Sequence, residues 1–193
     1  MVKLLAMMVD NEIVQATKQH LQDTVSEREG WCVHLNNHLP EVEKWAVWLA
    51  SRNPVADATV ILLGVWLHDI GQVTGPKEVD HAVNSEVEAR RFLPTIGAGP
   101  DLVEKVAHCI RSHRCKDVFP SSLEARILAA ADSASHLSDN VYVLMAKRGE
   151  VDDAIAKVGR DMRDIQTFPE LVEMLEPVSQ AWLGLLKVWP KIN

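Results

Sequence analysis

The run Val60-Ile61-Leu62-Leu63-Gly64-Val65-Trp66-Leu67 is apolar on every side and is followed at once by His68 and Asp69. A helix with no polar face belongs in the centre of a core, so the rest of the chain must supply the helices that surround it. Asp57 suits the N-cap of this helix, and Gly71 is expected to provide a left-handed stop after it. The central helix therefore delivers a histidine and a carboxylate to the edge of the core, an unusual cargo for an apolar segment.

The flanking segments read as helices too. A first helix capped by Asp10 is expected to reach about Ser26, and the polar stretch Glu27–Gly30 ends it. Between Leu39 and Ala50 the apolar residues Val42, Trp45, Ala46, Leu49 and Ala50 keep helical spacing from His38, although Pro40 is expected to leave His38 just before the helix. Further helices are expected at about Asp80–Leu93, Asp101–Ser112 and Leu123–Lys147. A polar helix should follow from Asp152 after a break at Gly149. A last one starts near Pro169, with a seam from Leu171 to Trp189 and a kink before Pro177. The expectation is an all-α, single-domain bundle of about seven helices over residues 1–193, with a motif core at 37–137 and the helices of 150–193 packed on it.

Three polar positions do not fit a plain core: His38 at the head of an amphipathic stripe, His68-Asp69 after the apolar helix, and Asp132 inside the apolar run that begins Ile127-Leu128-Ala129-Ala130-Ala131. A buried carboxylate must meet a cation, a metal ion or several hydrogen-bond donors, because its lost hydration is worth many kcal/mol. Imidazole nitrogen and carboxylate oxygen are common ligands of zinc, iron and manganese. A cap or a satisfied core hydrogen bond is the alternative for each residue taken singly.

The ordered set His38, His68-Asp69 and Asp132, with its flanks Leu67-His68-Asp69-Ile70-Gly71 and Ile127 to Asp132, resembles the signature of the HD-domain superfamily of metal-dependent phosphohydrolases. That likeness runs from about Asn37 to Leu137. It implies that His38, His68, Asp69 and Asp132 hold a divalent metal ion, with His68 and Asp69 at the centre of catalysis. Asp80-His81-Ala82 and Ile110-Arg111-Ser112-His113 resemble the segments that hold a second metal in some relatives, which would make His81 and His113 ligands and Asp69 a bridge. The competing role for His81 and His113 is to bind the substrate phosphate around one ion. His108, five positions before His113, should face elsewhere. His20 and His34 are expected to be solvated or structural, and His136, one turn beyond Asp132, a partner of that carboxylate.

The resemblance implies hydrolysis of a phosphate ester or anhydride, in a nucleotide or small phosphorylated metabolite, by a metal-activated water. The cofactor would be one or two divalent ions: manganese, iron or zinc, with magnesium, nickel or cobalt as further options. Arg111, Arg114 and Lys116 cluster beside His113 and can receive phosphate oxygens, or stand as an ordinary solvated loop. Two other readings stay open. Some relatives hold two irons and oxidise phosphonate or polyol substrates, but Trp31–Asn37 carries no tyrosine beside the first motif. A preserved metal site can also hold together a non-catalytic binding module.

The net charge of −7 and pI near 5.6 weigh against bulk nucleic acid as a partner. Cys32, Cys109 and Cys115 form no C-x-x-C pair and suit reduced thiols. The Leu4–Val9 run is too short for a signal peptide and no stretch is long enough for a membrane span, so a cytoplasmic protein is expected. The C-terminal seam can pack on the bundle or pair two copies into a homodimer.

Overall fold

The computed structural model describes residues 11–26 and 32–192, with the side chains of 32–34 and 192 outside that description. The Leu4–Val9 run, the Asp10 cap, the Glu27–Gly30 segment and the side chains of Cys32 and His34 thus lie outside the described residues. Among those residues every element is helical: nine α-helices of seven or more residues, a one-turn helix and two 3-10 turns, against the seven or so helices expected. None is long and apolar enough to cross a membrane. The chain divides into two compact units, residues 1–129 and 130–193.

The first unit contains α1 (Glu12–Ser26), α2 (Cys32–Arg52), α3 (Ala58–Leu67), the single turn α4 (Gly71–Thr74), α5 (His81–Phe92), a 3-10 turn (Leu93–Ile96), α6 (Pro100–Ser112) and the start of α7 (Leu123–Ser138). The apolar helix α3 is its centre, with α1, α2 and α6 packed against it. Asp57 caps it by accepting hydrogen bonds from the Thr59 and Val60 amides at 3.0 and 3.3 Å. Val60, Ile61, Leu62, Leu63, Val65 and Leu67 are buried, each worth roughly 1.5–3 kcal/mol relative to exposure. A Cβ at Gly64 would meet Leu128 Cδ2 of α7 at a tight 3.1 Å and Cys109 Cβ of α6 at an ordinary 3.5 Å.

Helix α2 starts earlier than Pro40 suggests, so His38 sits within it rather than before it. A proline inside a helix costs roughly 3 kcal/mol. Here that cost is outweighed by a buried stripe of Leu35, His38, Leu39, Val42, Trp45, Ala46 and Leu49, while Pro40 itself faces solvent. Tertiary burial overrides the local preference.

Gly71 does not act as a left-handed stop; positive φ among the described glycines occurs at Gly97 (86°) and Gly149 (83°). It opens α4, and what demands glycine is contact with α5. A Cβ at Gly71 would come within 2.3 Å of the His81 carbonyl oxygen and 2.4 Å of the Ser85 nitrogen. The Gly71 amide donates to the buried Ser85 hydroxyl at 2.8 Å. Asp80 caps α5 by accepting from the Ala82 amide at 2.9 Å, which places His81 in the first turn, beside the His68-Asp69 bend.

The second unit contains the remainder of α7, then α8 (Val141–Lys147), α9 (Val151–Asp164), a 3-10 turn (Ile165–Thr167) and α10 (Pro169–Ile192). The single helix expected over Leu123–Lys147 is broken after Ser138, where the Asp139 carboxylate accepts from the Val141 amide at 2.7 Å and restarts the chain as α8. Side-chain capture of a backbone amide is how Asp competes with helix continuation. Helix α10 continues past both Pro177 and Pro190.

The packing at Gly71 predicts that Gly71→Ala lowers stability by about 2–3 kcal/mol, the scale of overpacking a close contact. Gly159→Ala, inside α9 with nothing within 4 Å of the added carbon, should instead stabilise by about 0.5–1 kcal/mol. Thermal unfolding followed by circular dichroism should move the two midpoints in opposite directions; equal shifts would show that Gly71 is not under steric constraint.

Candidate metal centre

The functional cluster of the first unit grows from three local devices. The apolar α3 ends in His68-Asp69, the contact at Gly71 brings up the first turn of α5 with His81, and the C-terminal end of α6 presents His113. Helix α2 contributes His38 from its buried stripe.

Asp69 lies at the middle, 6% exposed, beside His38, His68 and His113 at 2%, 0% and 3%. Its two oxygens face different imidazoles. Oδ2 is 3.7 Å from His38 Nε2 and 3.8 Å from His68 Nε2, whereas Oδ1 is 3.2 Å from His81 Nε2. His81 Nε2 is also 3.2 Å from His113 Nε2. The rings of His68 and His113 cross at 73° with centroids 4.9 Å apart.

Two of these rings are aimed by their own helices. His68 Nδ1 lies 2.8 Å from the Val65 carbonyl oxygen and His113 Nδ1 lies 2.7 Å from that of Ile110. A carbonyl oxygen only accepts, so Nδ1 carries the proton in both, and the neutral ring presents a lone pair at Nε2. One ligand atom each from His68, Asp69 and His113 falls within a mutual 4.8 Å, a span one divalent ion can bridge.

Electrostatics favours the ligand states. Burial pushes the Asp69 carboxyl up, but positive charge on His68, His38, His81 and His113 when they are protonated outweighs it and holds the group well below the usual carboxylate range. Burial lowers His81, helped by Arg114 and His68 and opposed by Asp69, so its imidazole favours the neutral form that binds metals.

The remaining histidines stand elsewhere. His20 is 2.9 Å from Glu88 and stacks on Phe92, while His108 receives hydrogen bonds from the Ser121 amide and hydroxyl at 3.2 and 2.8 Å. Both are structural. Cys109 is buried, and burial pushes its thiol up to about 12. The Arg111 guanidinium pairs with both oxygens of Asp117 and lies 3.7 Å from Glu86, whereas Arg114 pairs with Asp80. Lys116 and Arg114 line a groove beside His81, and Lys77 joins them there. Lys77 had no sequence signal, because only the α4–α5 loop brings it to these residues.

Asp132 belongs to the second unit, where a separate polar network holds its helix. His136 Nε2, one turn on, lies 3.6 Å from Asp132 Oδ1, and its Nδ1 lies 3.5 Å from Asp161 Oδ1. The buried Asp161 carboxylate accepts from the Tyr142 hydroxyl at 2.6 Å and from Lys157 at 3.2 Å. Burial works against protonation of His136, but Asp132 and Asp161 prevail and raise it. Asp164, half-buried with Asp161 nearby, is pushed up to about 6.

A helical domain built around buried imidazoles and a carboxylate, with lone pairs turned inward, is a framework able to hold a divalent ion. The chain belongs to the HD-domain family: the HD domain model matches residues 36–136, just over half of its 193 residues. This places it in a superfamily of metal-dependent hydrolases that bind divalent ions. No curated protein and no solved structure matches the chain.

The Asp164 carboxyl yields a test of the second unit. Its folded value lies above the ordinary 3.8, so its contribution to stability is fully present below about pH 4 and is lost as pH rises through 6. Asp164→Asn should therefore raise the melting temperature near pH 7.5 and lose that advantage near pH 4. A variant advantage that is constant across this range would show that Asp164 titrates normally.

Proposed function

We propose that the chain is a metal-dependent phosphohydrolase that cleaves a phosphate ester or anhydride in a nucleotide or small phosphorylated metabolite. The observation that carries this reading is the division of Asp69, with one oxygen towards His38 and His68 and the other towards His81. A carboxylate so flanked suits a bridge between two ions. His38 and His68 would hold one ion. His81 and His113 would hold the other.

Divalent ions held there supply an activated water and neutralise charge on the phosphoryl oxygens. The protein's own part is positional. Val65 and Ile110 carbonyls fix the tautomers of His68 and His113, burial keeps bulk water from the carboxylate, and the lowered His81 stays neutral near pH 7. Among the family's chemistries, hydrolysis asks least of this set, since it needs no electron donor.

Metal analysis of the purified protein, followed by a phosphate-release screen with manganese, iron or zinc restored, tests the reading. The expected result is about two ions per chain with phosphate release. Asp69→Ala should lose both, and His81→Ala or His113→Ala should each reduce the content to about one ion. Normal metal content in Asp69→Ala would overturn the site. Two irons without phosphate release would make the protein a di-iron oxygenase instead.

A further inference from the structure

Beside His81 the first unit forms a groove of about 790 Å³, within the roughly 300–1,000 Å³ typical of small-molecule sites. The α4–α5 loop supplies Lys77, the entry to α5 supplies Asp80 and His81, and the segment after α6 supplies Arg114 and Lys116. The groove is contiguous in the chain with the metal cluster at two points, since Asp80 precedes His81 and Arg114 follows His113.

Its lining carries three cations, Lys77, Arg114 and Lys116, against two carboxylates, Glu78 and Asp80, in a molecule that is −7 overall. Asp80 is already engaged: it caps α5, pairs with Arg114, and is held below its ordinary value although burial opposes this. Lys77 and Lys116 are exposed, and among the described residues neither lies within ion-pair distance of a carboxylate. Arg111, by contrast, is occupied by Asp117 and Glu86 and does not line the groove. Lys116 helps hold Asp80 ionised from a distance and Glu78 shares the lining, yet two exposed ammonium groups beside the imidazole cluster, with no ion pair among the described residues, are placed to receive negative charge.

We propose that this groove binds a second phosphate of the substrate, on the leaving side of the bond being cleaved, so that the substrate is a phosphoanhydride such as a diphosphate or longer chain. The inference rests on the hydrolase reading for its reaction but not for its binding. Hydrolysis of such a bond joins the oxygen of water to one phosphorus and expels the other phosphate with the electron pair of the broken P–O bond. The protons of water pass to the products or the solvent. An alcohol leaving group offers Lys77 and Lys116 only the charge developing on one oxygen, whereas a departing phosphate presents charged oxygens both before and after cleavage for them to hold.

The test uses the full chain reconstituted with Mn²⁺ and two probes that are not hydrolysed, methylenediphosphonate and methylphosphonate, titrated by calorimetry. The wild type should bind the diphosphonate roughly tenfold more tightly, and the double variant Lys77→Ala/Lys116→Ala should lose about that factor while methylphosphonate binding changes less than about twofold. Lys77→Arg/Lys116→Arg should keep the preference. Unchanged diphosphonate affinity in the alanine variant, or equal losses for both probes, would overturn the proposal. Diphosphonate preference lost on lysine removal, in a protein that releases no phosphate, would leave the groove standing and sink the hydrolase reading alone.

Discussion

A carboxylate placed among four imidazoles inside an apolar helix cluster organises the first unit. Buried alone, Asp69 would take up a proton rather than pay for its lost hydration. Positive charge on the neighbouring imidazoles, or on a cation that takes the place of their protons, reverses that outcome. Four imidazoles are more than one negative charge needs. With Nδ1 of His68 and His113 committed to backbone carbonyls, their Nε2 atoms turn lone pairs inward, and His81 Nε2 comes to 3.2 Å from that of His113. Convergent lone pairs repel unless a proton or a cation stands among them, and a divalent ion answers several at once.

The surrounding fold serves that placement. Helix α3 can carry His68-Asp69 into the interior because nothing else on it needs water, and Asp57 satisfies the amides at its far end. Gly71 then determines how near α5 comes, and the Asp80 cap puts His81 at the point of closest approach. Shape and chemistry are coupled here. A methyl group at position 71 would displace the helix that bears a candidate ligand.

Much of this was legible in the chain. The apolar run, the cap at Asp57, the helix start near Asp80 and the HD motif each depend on residues close in sequence, where periodicity and capping rules operate directly. What escaped was decided by partners far away. Pro40 reads locally as a helix start, yet the buried stripe of α2 carries the helix through it. Gly71 looks like a stop because its neighbours are local, but its constraint comes from His81 and Ser85. Arg111 and Arg114 look equivalent by composition, and only the positions of Asp117, Glu86 and Asp80 separate them. The Asp139 side chain that captures the Val141 amide and divides the expected long helix was available in the sequence as an Asp-Asn pair, outweighed by the strong helical pattern before it.

The second unit shows why a buried carboxylate is not by itself a metal site. Asp161 is as deeply buried as Asp69 and also has a histidine beside it. Its other partners are the Tyr142 hydroxyl and the Lys157 ammonium, which approach as proton-bearing donors. Such groups satisfy a carboxylate through hydrogen bonds and need no ion, and an ammonium at 3.2 Å would repel one. Around Asp69 the partners are imidazoles, which can give up a proton at neutral pH and become ligands. The difference between a structural carboxylate and a metal-ready one therefore lies in whether its partners can lose their protons. That places the candidate chemistry at Asp69 and leaves Asp161 to tie α9 to α7 through His136 and to α8 through Tyr142.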